Sequence, residues 1–319
     1  MKEQESITVS APATIGNIGP GFDVLGLAIK GLSDIVEAKR IPSGVRLASV
    51  KTLYAENELS DDPDKNTAGI AARETLSLLG VKGGVELKLR KGLPLGSGLG
   101  SSAASAAAAA FAVNSLYGSE LTKEELILPA TQAEAEVSGG FFADNTAPAL
   151  LGGATLTRSC LPLDVTRIGS INDLILVVIT PKILILTREA REILPKNISM
   201  ENFVYNMANT SLITAAFAKN DYSLFARSLN DAVIEPIRSK LIAGYDDAKE
   251  NAIKAGADGV AISGSGPTVF AITNQRSRAR FIQDAMLRSF KARNIPATGI
   301  ITEVEPEGTR LADSNIDHL

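Results

Sequence analysis

The chain is nearly devoid of histidine: its only one in 319 residues is His318, next to last. Ser-His-Asp hydrolysis, Cys-His proteolysis and histidine-ligated metal centres all need an imidazole at a fixed site, so the composition excludes them. Cysteine is equally scarce. Cys160 stands alone, which rules out an internal disulfide or a multi-thiolate metal site and fits a reducing compartment. No apolar run reaches the roughly 18 to 20 residues a bilayer span needs, and Met1-Lys-Glu-Gln-Glu-Ser lacks an apolar signal core. A cytoplasmic protein without a membrane partner is expected. Cations are not in excess, with 32 Lys and Arg against 36 Asp and Glu and a net charge of -4, so nucleic acid is not expected as a partner. Any chemistry here falls to carboxylates, hydroxyls, cations and backbone.

What is present is an ordinary globular composition, 45% apolar and 21% charged. The length is about twice that of a common domain, which suggests two domains of roughly 150 residues each. Alternating Ile7 and Val9 and an extended stretch over 34–41 suggest an N-terminal sheet. The clearest strand is 84–90, where Val85, Leu87 and Leu89 face one way and Glu86, Lys88 and Arg90 the other. It stops at Lys91-Gly92-Leu93-Pro94. After a glycine-rich loop, the alanine-dominated stretch 101–117 predicts a helix closed by Gly118. Thr122 and Glu125 have capping-box spacing, with Pro129 restarting the helix that carries Glu134 toward its end near Ser138. Periodicity is lost over 158–173. Further strands are expected at 174–179, 260–262, 269–272 and 299–302, and helices at 187–194, 200–218, 242–255 and 276–293. The tail after Glu305 is polar and expected to fray.

The loop Gly96-Ser97-Gly98-Leu99-Gly100-Ser101-Ser102 places three glycines and three serines at a helix start. Glycine lets backbone N–H groups approach an anion, the first turn has unpaired donors, and the helix dipole favours negative charge there. A phosphate is the natural guest. The loop has no Lys-Ser/Thr pair of a Walker-type P-loop, and Ser101 stands where a dinucleotide fingerprint needs its third glycine. A plain glycine-rich turn is the alternative that the loop by itself leaves open.

Pro94-x-x-x-Gly98-Leu-Gly-Ser-Ser-Ala resembles the phosphate loop of the GHMP small-molecule kinases. Two further blocks of that family follow the same order, Pro12-Ala-Thr-Ile-Gly-Asn17-Ile-Gly-Pro-Gly-Phe-Asp23 and Ile262-Ser-Gly-Ser-Gly-Pro267. Within it the chain is most similar to the homoserine kinase branch, through Asp62-Pro-Asp-Lys-Asn66, Ala143-Asp-Asn145-x-Ala-Pro148, Thr187-Arg-Glu-Ala-Arg191-Glu-Ile-Leu-Pro195 and Val233-Ile-Glu-Pro-Ile-Arg238. The resemblance implies an α+β GHMP kinase fold. An N-terminal ATP-binding domain with a left-handed βαβ unit would span 1–165 and a ferredoxin-like C-terminal domain 166–305, followed by a polar tail over 306–319. It also implies ATP and Mg²⁺ as cofactors, leaves a homodimer as an expectation, and places the substrate between the domains.

The roles carried over are these. Pro94, Leu95, Gly96, Ser97, Gly98, Leu99, Gly100, Ser101, Ser102, Ala103 and Ala104 hold the phosphates, and Asn66 lies on the adenine or ribose side, a role compatible with capping the helix before Ala68. Glu134 matches the metal ligand, alongside Ser101 or Ser102. Taken alone, Glu134 reads as an exposed helical residue beside Glu136. Homoserine carries an ammonium, a carboxylate and a primary hydroxyl. Arg191 and Arg238 match the residues that bind the carboxylate, and a guanidinium fork suits it. Asp23 can take the ammonium, Asn17 and Asn145 can orient the hydroxyl, and Gly264 comes from the third block. Thr187 precedes Arg191 by four residues, so a helix there puts both on one face. Asn145 cannot accept a full proton, so direct in-line attack of the substrate hydroxyl on the γ-phosphate is expected, driven by positioning, with Glu134, Asn145 and Ser102 as the catalytic groups.

One position departs from the pattern. Many homoserine kinases have a histidine two residues before the Asp of the Asp-Asn block, and here Phe142 stands there. Another hydroxylated metabolite of the same kinase class therefore remains an alternative, as does a non-catalytic nucleotide-binding regulator on the same fold. The latter would lose the metal and substrate residues, whereas Glu134, Arg191 and Arg238 are all present. An oxidoreductase would need an early glycine fingerprint and a ribose-binding acid about 20 residues on, and neither is found.

Overall fold

The computed structural model describes residues 5–54 and 59–312. His318 lies outside the described residues, and so does the rest of 313–319. In chain order the elements are β1 (Ser6–Gly16), β2 (Leu25–Ile41), β3 (Gly44–Thr52), α1 (Thr67–Leu79), β4 (Gly84–Lys91), α2 (Ser101–Leu116), α3 (Ile127–Ser138), α4 (Thr146–Leu151), β5 (Ala154–Cys160) and β6 (Leu163–Gly169). There follow β7 (Ile175–Pro181), α5 (Thr187–Glu192), α6 (Met200–Lys219), α7 (Tyr222–Ser228), α8 (Glu235–Arg238), α9 (Tyr245–Lys254), β8 (Gly259–Ile262), β9 (Val269–Thr273), α10 (Arg276–Ala292), β10 (Ala297–Glu303) and β11 (Arg310–Leu311).

The first sheet runs β11-β1-β2-β4-β3, with β5 pairing the start of β2 and β6 pairing β5. Its only parallel pair among the described residues is β3 with β4, joined through α1, which is the expected βαβ unit. The second sheet has the order β10-β7-β9-β8, all antiparallel, with α9 before β8 and α10 between β9 and β10. That split-βαβ order is the ferredoxin-like arrangement.

β7 shows why its sequence is continuously apolar. Ile175, Val177 and Ile179 join the core beneath α9 and α10, while Leu176 and Val178 face the larger core of the first sheet. A strand covered on both faces does not alternate in polarity. α2 is the hub of the larger core, with Ala104 and Ala106 to Ala110 fully enclosed between α1, α3, β1 and β2. Small side chains let a helix surrounded on all sides approach its neighbours closely.

Three expectations need correction. The 158–173 stretch holds most of the β5–β6 hairpin, with the Arg158–Asp164 ion pair beside its turn. β6 has no fully buried residue and is half-buried over most of its length, so it lacks the clean alternation of a strand with one buried face. The boundary expected at 165 falls inside β6, so the chain leaves the first sheet only after Gly169. Finally, the tail returns to the sheet. Glu305 N–H donates to Ala28 O at 2.9 Å, the enclosed Thr309 donates through N–H and Oγ1 to Ala149 O, both at 2.8 Å, and Arg310–Leu311 pair with Ser10 and Val9. Open backbone groups at the edge of β1 draw in this polar segment, because ladder bonds do not require apolar side chains.

Around α3 the local reading is more exact. Thr122 N–H donates to Glu125 Oε2 at 2.7 Å and Glu125 N–H donates back to Thr122 Oγ1 at 3.3 Å. This box closes a turn rather than opening the helix. α3 starts at Ile127 with Pro129 in its first turn, where a missing N–H costs nothing.

Candidate active site

The glycine-serine loop connects β4 to α2, and its backbone is tied down on three sides. Thr14 N–H donates to Leu99 O at 3.0 Å, Thr268 N–H to Ser97 O at 3.1 Å, and Ser263 Oγ to Gly98 O at 2.6 Å. Gly98 has φ +81, and a Cβ there would lie 2.5 Å from Ser263 O. Gly100 caps α2 in the left-handed region at φ 65 with no side-chain cap, and a Cβ on it would collide with Thr14 Oγ1. The first-turn donors of α2 are thus left to a ligand, in a loop that only glycine can trace.

Beneath the loop lies a buried polar knot that sequence reading missed. Lys91 Nζ donates to Asp34 Oδ2 at 2.5 Å, Ser105 Oγ at 2.6 Å and Ser101 O at 2.7 Å. Asp34 Oδ1 accepts from Gly92 N–H at 3.0 Å and Leu93 N–H at 3.2 Å, and Oδ2 from Ser105 Oγ at 2.6 Å. Both ionic side chains are enclosed, at 4% and 0% exposure. The β2–β4 register was the available signal. It pairs Ile35 with Arg90, so one step further brings Asp34 opposite Lys91.

The loop forms one wall of a cleft of about 620 Å³. Leu95, Gly96, Ser97, Gly98, Gly100, Ser101 and Ser102 line it, whereas Pro94, Leu99, Ala103 and Ala104 do not. Leu99, Ala103 and Ala104 are buried in the interior, and Ala104 N–H is already bonded to Gly100 O at 2.8 Å. Their part is to hold the loop up, not to face a ligand. Asn66 also lines the cleft. Its side chain caps α1, accepting from Ala68 N–H at 3.0 Å and donating to Ser60 O at 3.0 Å, so both amide ends are already engaged.

Glu134, an exposed residue on the bland reading, has its Oε1 shut off from solvent in the cleft wall. Burial pushes its carboxyl up, opposed by the Ser102 hydrogen bond and the charge of Lys91. Ser102 is therefore the serine that reaches Glu134. Ser101 also lines the cleft, with its Oγ donating to Leu93 O at 3.4 Å. A hard-oxygen pair of one carboxylate and one hydroxyl suits Mg²⁺, which takes few protein ligands and completes its shell with phosphate and water. The described residues hold no cluster of three or more acidic, His or Cys ligands that could hold a metal ion.

At the other end of the cleft, Asn17 and Asp23 sit in the left-handed region at φ 71 and 59, which Asn and Asp tolerate better than most residues. Asp23 N–H donates to Asn17 Oδ1 at 3.0 Å, and Asn17 Nδ2 donates to Gly264 O at 2.9 Å. Asn145 Oδ1 accepts from Thr14 Oγ1 at 2.8 Å. Thr187 and Arg191 share a face of α5 and both line the cleft. Arg191 forks onto Asp23, with Nη1–Oδ2 at 2.9 Å and Nη2–Oδ1 at 2.7 Å. Arg238 is buried, donating to Ala190 O at 3.2 Å and Gly264 O at 2.9 Å. Burial first, and Arg191 next, bring its pKa down to about 10, leaving it a cation at neutral pH.

Chain-wide similarity supplies the family. A model described as "GHMP kinases N terminal domain" matches 66–153, and one described as "GHMP kinases C terminal" matches 213–292. The chain is a GHMP kinase. Its relatives include homoserine kinase of Arabidopsis thaliana, 41% identical over 97% of this chain and 85% of that one, and homoserine kinase of Chloroherpeton thalassium, 39% identical over 96% and 99%. The crystal structure of homoserine kinase from Cytophaga hutchinsonii superposes with a TM-score of 0.92 at 40% identity, covering 98% and 99% of the two chains. A mevalonate kinase structure from L. major, at 17% identity and TM-score 0.69, shares the fold.

In this GHMP kinase, Asp144 is a site residue that the motif comparison passed over. It is buried, lines the cleft, and has its pKa raised to about 7 by desolvation, then by the charges of Asp23 and Glu134, with Arg191 opposing. Between ~4, the unfolded value, and about 7, the unfolded chain has lost this proton and the folded one has not. Stability falls across that window and levels above it. Asp144→Asn is expected to flatten the slope in urea denaturation, being more stable than the parent at pH 8 and matching it at pH 4. A parallel pH profile would remove Asp144 as its source.

Proposed function

We propose that this chain transfers the γ-phosphoryl group of ATP to the side-chain hydroxyl of L-homoserine, giving O-phospho-L-homoserine for threonine biosynthesis in the cytoplasm. The observation that carries the reading is the Asp23–Arg191 pair facing the glycine-serine loop across one cleft. An amino-acid zwitterion can exchange for that pair without stranding either charge: its ammonium takes Asp23 and its carboxylate takes Arg191. Mevalonate, which has no ammonium, would take Arg191 and leave the half-buried Asp23 without a partner, an unfavourable exchange.

Bound Mg²⁺ supplies charge neutralisation on the phosphates, and Glu134 and Ser102 are the side chains that would hold it. The α2 N-terminus adds positive potential on the same side. Asn17 and Asn145 orient the acceptor hydroxyl. Thr187, hydrogen-bonded to Ser265 at 3.4 Å, closes the substrate end beside Arg191. Positioning and electrostatics carry the reaction.

The test is ADP release with Mg-ATP against homoserine, serine, threonine and mevalonate. Homoserine-dependent ADP with little from the others is expected. Mevalonate-dependent ADP would overturn the substrate, and no ADP with any alcohol would return the chain to a nucleotide-binding regulator.

A further inference from the structure

Arg191 does more than pair with Asp23. Its guanidinium carbon stands 4.2 Å from the ring centroid of Phe142 and 5.1 Å from that of Phe22, and Arg238 stands 5.0 Å from the same Phe22 ring. Phe142 is the residue that departs from the histidine of many homoserine kinases, and Phe22 adjoins Asp23. Two aromatic rings from distant segments therefore meet one cation, and one of them also meets the second arginine of the site.

The rings gain importance once a substrate enters. If the amino-acid reading above is right, the incoming ammonium takes Asp23 and the fork between Arg191 and Asp23 opens. Arg191 then loses the ligand that orients it while it must meet a carboxylate in a fixed plane. α5, which carries it, is a short helix with exposed neighbours Leu186 and Ile193, so little else on that element holds the side chain still. A cation over a ring face is attracted without any competing hydrogen bond, and flat guanidinium groups stack well. A histidine at 142 would offer a polar edge instead, and when protonated it would repel the guanidinium. Gly140 leaves space for the arrangement: a Cβ on it would lie 3.0 Å from the Phe142 ring.

We propose that Phe22 and Phe142 form an aromatic clamp that positions Arg191, and that this clamp sets the preference for substrates bearing an α-carboxylate. The inference rests on the amino-acid reading of the site and adds to it the residues that determine specificity. Neither ring touches the reacting atoms, so both are positioning residues, and their loss should appear in substrate recognition rather than in the phosphoryl-transfer step.

The experiment compares homoserine with 3-amino-1-propanol, the same alcohol lacking the carboxylate, in the parent chain and in Phe142→Leu, Phe142→Tyr and Phe22→Leu. The two leucine variants are expected to raise KM for homoserine about tenfold, with kcat, KM for ATP and kcat/KM for 3-amino-1-propanol changed by less than about twofold. Phe142→Tyr keeps the ring face and should stay near the parent. A second readout needs no turnover. The chain has no tryptophan, so Phe142→Trp introduces a single indole, excited selectively at its red edge, whose emission should change when homoserine is added without nucleotide. An unaltered KM in Phe142→Leu, or an equal loss on both alcohols, overturns the clamp. A parent enzyme that uses 3-amino-1-propanol as well as homoserine overturns the amino-acid reading instead.

Discussion

Glu134→Ala will abolish turnover and leave the fold intact. A fall in kcat of at least about 10²- to 10³-fold is expected, the usual loss when one group organising transition-state charge is removed, with unchanged far-UV circular dichroism. One carboxylate oxygen is shut off from solvent, the group is hydrogen-bonded to Ser102 at the start of α2, and burial works against its ionised form. A group held in place against its own desolvation contributes to function rather than to stability. Its removal relieves an electrostatic cost, so denaturation should show a parent-like or slightly more stable protein. Turnover close to that of the parent would remove Glu134 from the metal site and with it the assignment of Ser102.

Lys91→Met will act in the opposite sense, on the fold first. The ammonium is enclosed with Asp34, Ser105 and the Ser101 carbonyl. Taking it away strands the Asp34 carboxylate in the interior, and breaking a buried pair from one side costs about 3–5 kcal/mol. Urea or guanidinium titration reads this as a lower midpoint with an unchanged slope. Adding Asp34→Asn should recover part of the loss, because the remaining group is then neutral although still bonded to Gly92 and Leu93. A Lys91→Met variant within about 1 kcal/mol of the parent would show that water or rearrangement satisfies Asp34. Because Asp34 anchors the two residues that lead into Pro94, the same knot joins the stability of the first sheet to the shape of the phosphate loop.

Comparing the two residues shows which parts of the site were legible in the sequence. Glu134 is singled out in the sequence only by its resemblance to a family ligand, since nothing in its helical setting distinguishes it from Glu136. Lys91 was read as the end of a strand. Its partner lies 57 positions away in sequence, and only strand pairing brings the two together. Asp144 shared a motif with Asn145 but drew no attention, since its raised pKa comes from burial near Asp23 and Glu134, which is invisible in one dimension. The β5–β6 hairpin and the return of 305–311 to the first sheet were missed for a related reason. Periodicity reports which faces are buried, and segments half-buried along their length or recruited through backbone bonds have no such pattern.

The sequence by itself determined the local pieces: the alternation of β4, the alanine helix that follows, the left-handed glycines between them, and the exclusion of imidazole chemistry by a lone terminal histidine. Steric and propensity rules act over a few residues, so they can be read from the chain. The tertiary structure decided which serine meets Glu134, that Asp23 and Arg191 hold each other before any substrate arrives, that Phe142 faces Arg191 rather than merely filling a domain interface, and that a buried lysine supports the loop. Each of these depends on distance and dielectric between residues far apart in the chain, and both quantities exist only once the chain has folded.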